Sequence, residues 1–99
     1  MDHAKAASEI LSAVGNAKRL IILCHLLDGE LAVGVLAKAV GLSQSALSQH
    51  LAKLRSSGVV SRRRDAQTGY YSSSSVAVLA IFEALKRIFD ADHLSTVKA

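Results

Sequence analysis

Between Ser43 and Gly58 the chain reads SQSALSQHLAKLRSSG, and the chemistry on offer there is hydrogen bonding. Leu47, Leu51 and Leu54 recur at helical spacing and share one face. Ser45, Gln49, Ala52 and Ser56 fall opposite them, flanked by Ser48 and Lys53. Surface helices usually fill their outer face with Glu and Lys, whereas this one offers hydroxyls, amides and a methyl. Gln can pair bidentately with adenine, Ser can bond to bases or phosphates, and Ala can touch a thymine methyl, so the face suits a DNA major groove. Gln44 lies to the side of that face, but first-turn residues approach the bases first. A second set of donors follows in Arg62, Arg63, Arg64 and Gln67. The expected DNA contacts are therefore Gln44, Ser45, Ser48, Gln49, Lys53, Arg62, Arg63, Arg64 and Gln67.

Catalysis finds no support. His3, His25, His50 and His93 are scattered, and no HExxH, GxSxG or glycine-rich phosphate loop is present. The expectation is a protein that is not an enzyme and needs no cofactor or metal. Cys24 is the sole cysteine, which excludes an intrachain disulfide and suits a reducing cytoplasm. It reads as a small core residue, with a redox role as the alternative. The longest apolar run, Leu20 to Leu27, is interrupted by His25 and is far short of the ~20 residues a bilayer span needs. No N-terminal stretch resembles a signal peptide. The expectation is a cytoplasmic protein with no membrane partner.

The elements that must carry these residues follow from periodicity. Residues 3–14 read as a first helix, with Ala7, Ile10, Leu11 and Val14 as its stripe. Gly15-Asn16 breaks the pattern, and Asn16 can cap a second helix over residues 17–28. Leu20, Cys24 and Leu27 are its expected buried stripe, with Leu23 and Ile21 beside it. Lys18 and Arg19 open that helix, where its dipole disfavours them; an external phosphate or plain solvation would each account for them. Gly29 ends it, and Glu30-Leu31-Ala32 reads as a short strand or extended link. Val33 to Val40 is a short helix, joined through Gly41-Leu42 to the Ser43-capped helix. Two helices joined by a Gly-containing turn make a helix-turn-helix over about 33–57, or, in the blander reading, an ordinary αα-hairpin.

After Gly58, a natural stop, the period changes from 3.6 to 2. Residues 59–64 read as a strand, 65–69 as a loop and 70–73 as the partner strand, giving a basic wing over about 59–73. Arg62-Arg63-Arg64 could instead be a charged edge that resists aggregation. The four serines from Ser72 to Ser75 read as a strand end followed by a helix cap. Residues 76–90 then read as a strongly apolar helix, with Val78, Phe82, Leu85 and Phe89 on one face and Leu79, Ile81 and Ile88 widening it. Residues after Leu94 are expected to fray.

The 99 residues suffice for one domain, residues 1–99. Hydrophobic residues make up 51% and aromatics only 4%, so the core must come from Leu, Ile, Val and Ala. The net charge of +4 fits an anionic partner. The last helix is apolar over more of its circumference than so small a domain needs, which points to a homodimer through the first helix (3–14) and the last (76–90). The expected dimer residues are Ile10, Leu11, Val78, Phe82, Leu85 and Phe89. The expected fold is mainly α with a small β-hairpin, a winged helix-turn-helix of order α-α-β-α-α-β-β-α. The expected partners are double-stranded DNA and a second copy of the chain. A dimeric protein-interaction module is the alternative from another class, and the arginine cluster argues against it.

Three phrases resemble the ArsR/SmtB family of winged-helix repressors, nearest its NolR, HlyU and BigR-like branch. They are Lys18-Arg19-Leu20 through Leu23-Cys24, then Leu42 to Leu51 (LSQSALSQHL), then Arg63-Arg64-Asp65-Ala66-Gln67-Thr68 with Tyr70-Tyr71. The resemblance covers about residues 8–90. It implies a dimeric repressor on a near-palindromic promoter operator, with residues matching Gln44, Ser45, Ser48 and Gln49 in the major groove. The wing would reach the adjacent minor groove or backbone. The departures concern sensing. Metal-sensing members carry cysteines where Ala32 and Gly34 stand here, and Asp90, Asp92 and His93 are too closely spaced to rebuild the second site. Thiol-sensing members pair a cysteine matching Cys24 with one where Asp90 stands. A redox or metal-responsive sensor using Cys24 or the C-terminal Asp and His residues is therefore the alternative to a repressor without those switches.

Overall fold

A computed structural model describes residues 2–95, and side chains through residue 90. The side chains of Asp92 and His93 lie outside the described residues, as do residues 96–99 of the segment after Leu94 expected to fray; Ser95 itself is the last residue of the final helix. The order is α1 (Ala4–Val14), α2 (Ala17–Leu27), β1 (Leu31–Ala32), α3 (Val33–Val40), α4 (Gln44–Ser56), β2 (Ser61–Asp65), β3 (Thr68–Ser72) and α5 (Val76–Ser95). This is the winged helix-turn-helix order expected from the sequence.

Local chemistry sets most boundaries. The Asn16 side chain accepts a hydrogen bond from the Arg19 backbone N–H at 3.0 Å and starts α2. Ser43 accepts from Ala46 N–H at 3.1 Å and starts α4, and Ser75 accepts from Val78 N–H at 3.2 Å and starts α5. Gly41 ends α3 at φ 72°, a left-handed conformation that costs glycine nothing. The chain thereby turns within three residues into α4.

The sheet has order β1-β3-β2, antiparallel throughout. Its register sets Leu31 opposite Tyr71 and Ala32 opposite Tyr70, then Arg62 opposite Tyr71 and Arg63 opposite Tyr70. The first wing strand starts two residues later than expected, while the second starts two residues earlier, at Thr68. Gly58, at φ 78°, turns the chain so that Val59 and Val60 bury in the core instead of extending the strand. The Ser73 hydroxyl donates to the Val59 carbonyl at 2.7 Å where a ladder bond would otherwise lie. The connection is also tighter than a 65–69 loop, because Asp65 already pairs with Thr68 and leaves only Ala66 and Gln67 at the tip.

The core gathers Ala13 and Val14 of α1, Ile22, Leu23 and Leu26 of α2, Leu36 of α3 and Leu47, Leu51 and Leu54 of α4. Two expectations are corrected here. The buried stripe of α2 is Ile22-Leu23-Leu26, while Leu20 and Leu27 are only half-buried and Cys24 is exposed. The α2 segment is apolar nearly all round, so its crossing of α1 at 91° and its packing on α3 and α4 choose the face. Val78 is 1% exposed and belongs to this core, so it has no surface to give a second copy.

Candidate nucleic-acid interface

The leucine stripe of α4 is wholly buried, and this fixes what the helix shows outward. Gln44, Ser45, Ser48, Gln49, Ala52 and Lys53 are all exposed. Helix α4 contains no acidic residue and keeps Lys53 and Arg55 in its last turn, where cations suit the helix dipole. The outward face therefore carries donors, acceptors and positive charge, with nothing that repels a phosphate.

The N-terminus of α4 sits against α3. A Cβ on Gly34 would stand 3.8 Å from Gln44 Nε2, so the Gln44 amide lies over the start of α3. Gln44, Val35, Lys38, Leu42 and the wing residue Thr68 line an open groove of about 600 Å³ between the helix-turn-helix and the wing tip. At the other end of α4, Ala52, Arg55 and Ser56 line a second groove with Arg62. The two basic residues from helix and wing are thus neighbours. Arg55, Lys38 and Thr68 were not among the expected contacts; the signal available was only their charge or polarity beside the helix-turn-helix.

Strand alternation divides the three wing arginines. Arg62 and Arg64 share the sheet face of Tyr71, and Arg63 shares the opposite face with Tyr70. Arg63 is engaged through Nε and Nη2. Its Nε donates to Glu30 Oε2 at 2.9 Å and its Nη2 donates to Glu30 Oε1 at 2.8 Å. Its Cζ lies 4.5 Å from the centroid of the Tyr70 ring. The hydrogen bond to Glu30, and the negative charge behind it, push the guanidinium above its already high ordinary value. Gln67 is exposed at the tip.

Arg19 is also engaged, by neither of the two expected partners. Its Nε donates to the Ala13 carbonyl at 2.5 Å and its Nη2 to the Ser12 carbonyl at 3.2 Å. Nη1 reaches 3.5 Å from His50 Nδ1 on α4. This side chain closes the end of α1. Sequence periodicity could not show it, since the partners are backbone oxygens of the preceding helix.

Of the expected dimer residues, Leu11 and Phe89 are 59% and 64% exposed. Ile10, Phe82 and Leu85 are half-buried, with Ile10 and Phe82 packed against the core. Leu79 and Ile88, which the sequence places on the widened apolar face of this helix, are exposed as well. No single helix among the described residues is long and apolar enough to cross a membrane. Ala32 and Gly34 offer no ligating side chain, and among the described residues no three His, Cys, Asp or Glu side chains gather as a metal site would require.

A sequence profile described as "Bacterial regulatory protein, arsR family" matches residues 16–62. The chain is 60% identical over 91 residues to nodulation protein NolR of Rhizobium meliloti, spanning 92% of this chain and 75% of that protein. It is 54% identical over 80 residues to the transcriptional activator HlyU of Vibrio cholerae, spanning 81% of this chain and 74% of that one. The crystal structure of NolR from Sinorhizobium fredii superposes with a TM-score of 0.84 at 59% identity, covering 89% of this chain and 88% of that chain. A solution structure of a homodimeric winged helix-turn-helix DNA-binding domain from Mycobacterium bovis superposes at 0.78 with 33% identity, covering 92% and 83%.

Proposed function

Because the chain belongs to the ArsR family of bacterial regulatory proteins and is a winged-helix transcriptional regulator, we propose that it acts as a homodimeric repressor on a near-palindromic operator. The observation that carries this reading is the outward face of α4, polar, free of acid and continuous with Arg55 and Arg62. In this reading Gln44, Ser45, Ser48 and Gln49 contact base edges. Lys53, Arg62, Arg64 and Gln67 contact the backbone, supply most of the affinity and carry its salt dependence. Leu11, Leu79, Ile88 and Phe89 are exposed apolar residues of the two end helices and form the dimer surface, supported by the homodimeric relative of the same fold. The protein works in the cytoplasm, where its DNA is.

Selection from a random duplex library tests the reading. The expected product is an inverted repeat whose half-sites lie about one helical turn, ~34 Å, apart. Recovery of no sequence, or of unpaired half-sites only, would reject it.

Cys24 is exposed and so accessible to oxidants, which favours a thiol-responsive regulator as the second reading. Each chain has only one sulfur of this kind, so no disulfide can close within it. Peroxide, Zn²⁺ and arsenite are expected to leave operator affinity within about threefold. A larger loss in peroxide that Cys24→Ser abolishes would establish the second reading through a sulfenic acid or mixed disulfide.

A further inference from the structure

A negative charge on a DNA-binding protein opposes the phosphates, and Glu30 carries one close in sequence to the helix-turn-helix. It stands immediately before β1, on the link that leads into the helix-turn-helix. Arg63 leaves β2, at one edge of the sheet, crosses the Tyr70 ring on the central strand β3 and closes on Glu30 beside β1 at the other edge. The contact is a two-point fork, with both carboxylate oxygens engaged at 2.8 and 2.9 Å. Such a fork fixes direction as well as distance, and the aromatic plane beneath removes one further freedom.

The wing needs a tie of this kind. Strand β2 is an edge strand, hydrogen-bonded to β3 alone, and β1 backs β3 only at Tyr70 and Tyr71, so the outer wing is a two-stranded ribbon, which is marginal without further support. The strap joins β2 to the leader of the helix-turn-helix, one strand beyond its only ladder partner. With Arg63 held on one face, alternation puts Arg62 and Arg64 on the other, where Arg62 lines one groove with Arg55 of α4.

We propose that Glu30 is a positioning residue for DNA binding, acting through Arg63 and Tyr70 to hold the wing at a set pitch against α4. Arg63 then serves the wing's orientation and touches no phosphate. This rests on the DNA-binding reading above, with Arg62 and Arg64 as the wing's backbone contacts.

The sign of one substitution separates this from simple electrostatics. Removing a negative charge near DNA should strengthen binding if charge alone acts. Loss of the strap should weaken it. The probe is the duplex recovered by selection with the wild-type protein, titrated over a range of salt concentrations. Glu30→Gln keeps the shape and removes the charge; it is expected to bind about threefold or more weakly. Glu30→Gln with Arg63→Ala should bind no more weakly than Arg63→Ala alone, because both act through one contact. The slope of log affinity against log salt should stay at the wild-type value in all three. Arg63→Lys, which keeps the charge and loses the fork, should match Glu30→Gln. Both side chains are solvent-accessible, and circular dichroism melts verify that each variant folds.

Equal or tighter binding by Glu30→Gln overturns the proposal. So does a double variant whose loss is the product of the two singles, or a salt slope about one unit smaller in Arg63→Ala, the mark of a direct phosphate contact. Arg64→Ala and Gln44→Ala are run beside them. If those bind like wild type, the DNA-binding reading fails and the strap falls with it. If those lose affinity while Glu30→Gln does not, only the strap is wrong.

Discussion

Arg19 donates from its Nε and Nη2 to the carbonyls of Ala13 and Ser12, so a residue in the first turn of α2 closes the last turn of α1. The last carbonyls of a helix have no partner within it, and a guanidinium both bonds them and suits the negative end of the dipole. The same side chain reaches His50, linking the first helix to α4. Arg19→Ala is expected to lower stability by about 1–2 kcal/mol, since bonds to a charged donor are lost at a half-buried site. Arg19→Lys should recover only part, because a single ammonium nitrogen lacks the planar guanidinium's separate Nε and Nη donors, which reach the two carbonyls and His50 at once. Urea unfolding measures both, and an unchanged midpoint for Arg19→Ala would show the contact to be idle.

Base reading and backbone holding should come apart by mutation. Gln44→Ala or Ser48→Ala is expected to weaken the selected operator by roughly 1–3 kcal/mol and to relax base preference. Arg64→Ala should weaken selected and random duplexes alike and flatten the salt dependence. Titrations of both duplexes at several salt concentrations decide it. Equal losses on both duplexes from both kinds of variant would mean that the roles are misassigned.

What was legible in the sequence was what local chemistry decides. Ser43, Gly41 and Gly58 bound α4 and its turn by capping and left-handed backbone, and the three leucines of α4 could face only inward. The unreadable parts depended on distant partners. The run LIILCHLL is apolar on nearly every side, so its periodicity could not choose between the Leu20-Cys24-Leu27 face and the Ile22-Leu23-Leu26 face. Packing against α1, α3 and α4 chose, and it left Cys24 outside. Val59-Val60 fits a strand and a buried connection equally well until Gly58 is seen to turn the chain inward. Glu30 and Arg63 are 33 residues apart, and nothing in either neighbourhood announces the other.

The wing tip carries a strain that can be relieved. Ala66 has φ 57° at the first of two tip positions, and Gln67 is not in that region. That is the pattern of a type II′ turn, which favours glycine at its first central position. An alanine there pays for its Cβ, while glycine loses more freedom on folding. The net expectation for Ala66→Gly is a gain of about 0.5–1 kcal/mol, and for Ala66→Val a loss, because a β-branched residue tolerates positive φ still less. Chemical unfolding of the two variants tests the turn. A destabilised glycine variant would mean that the tip does not hold this conformation in solution.

The dimer surface is best probed where the protomer's own core is not involved. Phe82 packs against the core, so Phe82→Glu would bury a charge within the protomer and disturb the fold together with any assembly. Leu85 is half-buried and shares that ambiguity. Phe89 is 64% exposed and Ile88 52%, so a glutamate at either leaves the protomer's packing largely intact. In a dimer through α1 and α5 the same glutamate faces an apolar partner and is desolvated with no counter-charge, at a cost of several kcal/mol. Phe89→Glu is therefore expected to yield folded monomers, with a melting curve that no longer depends on protein concentration. Operator affinity should fall with it, because each half-site is then bound alone and the gain from linking the two is lost. Sedimentation velocity at micromolar concentration gives the oligomeric state, and titration of a single half-site serves as the control. A wild type that already sediments as a monomer would sink the model. So would a Phe89→Glu variant that stays dimeric and keeps its affinity for the full inverted repeat, which would place the interface on another face of the molecule.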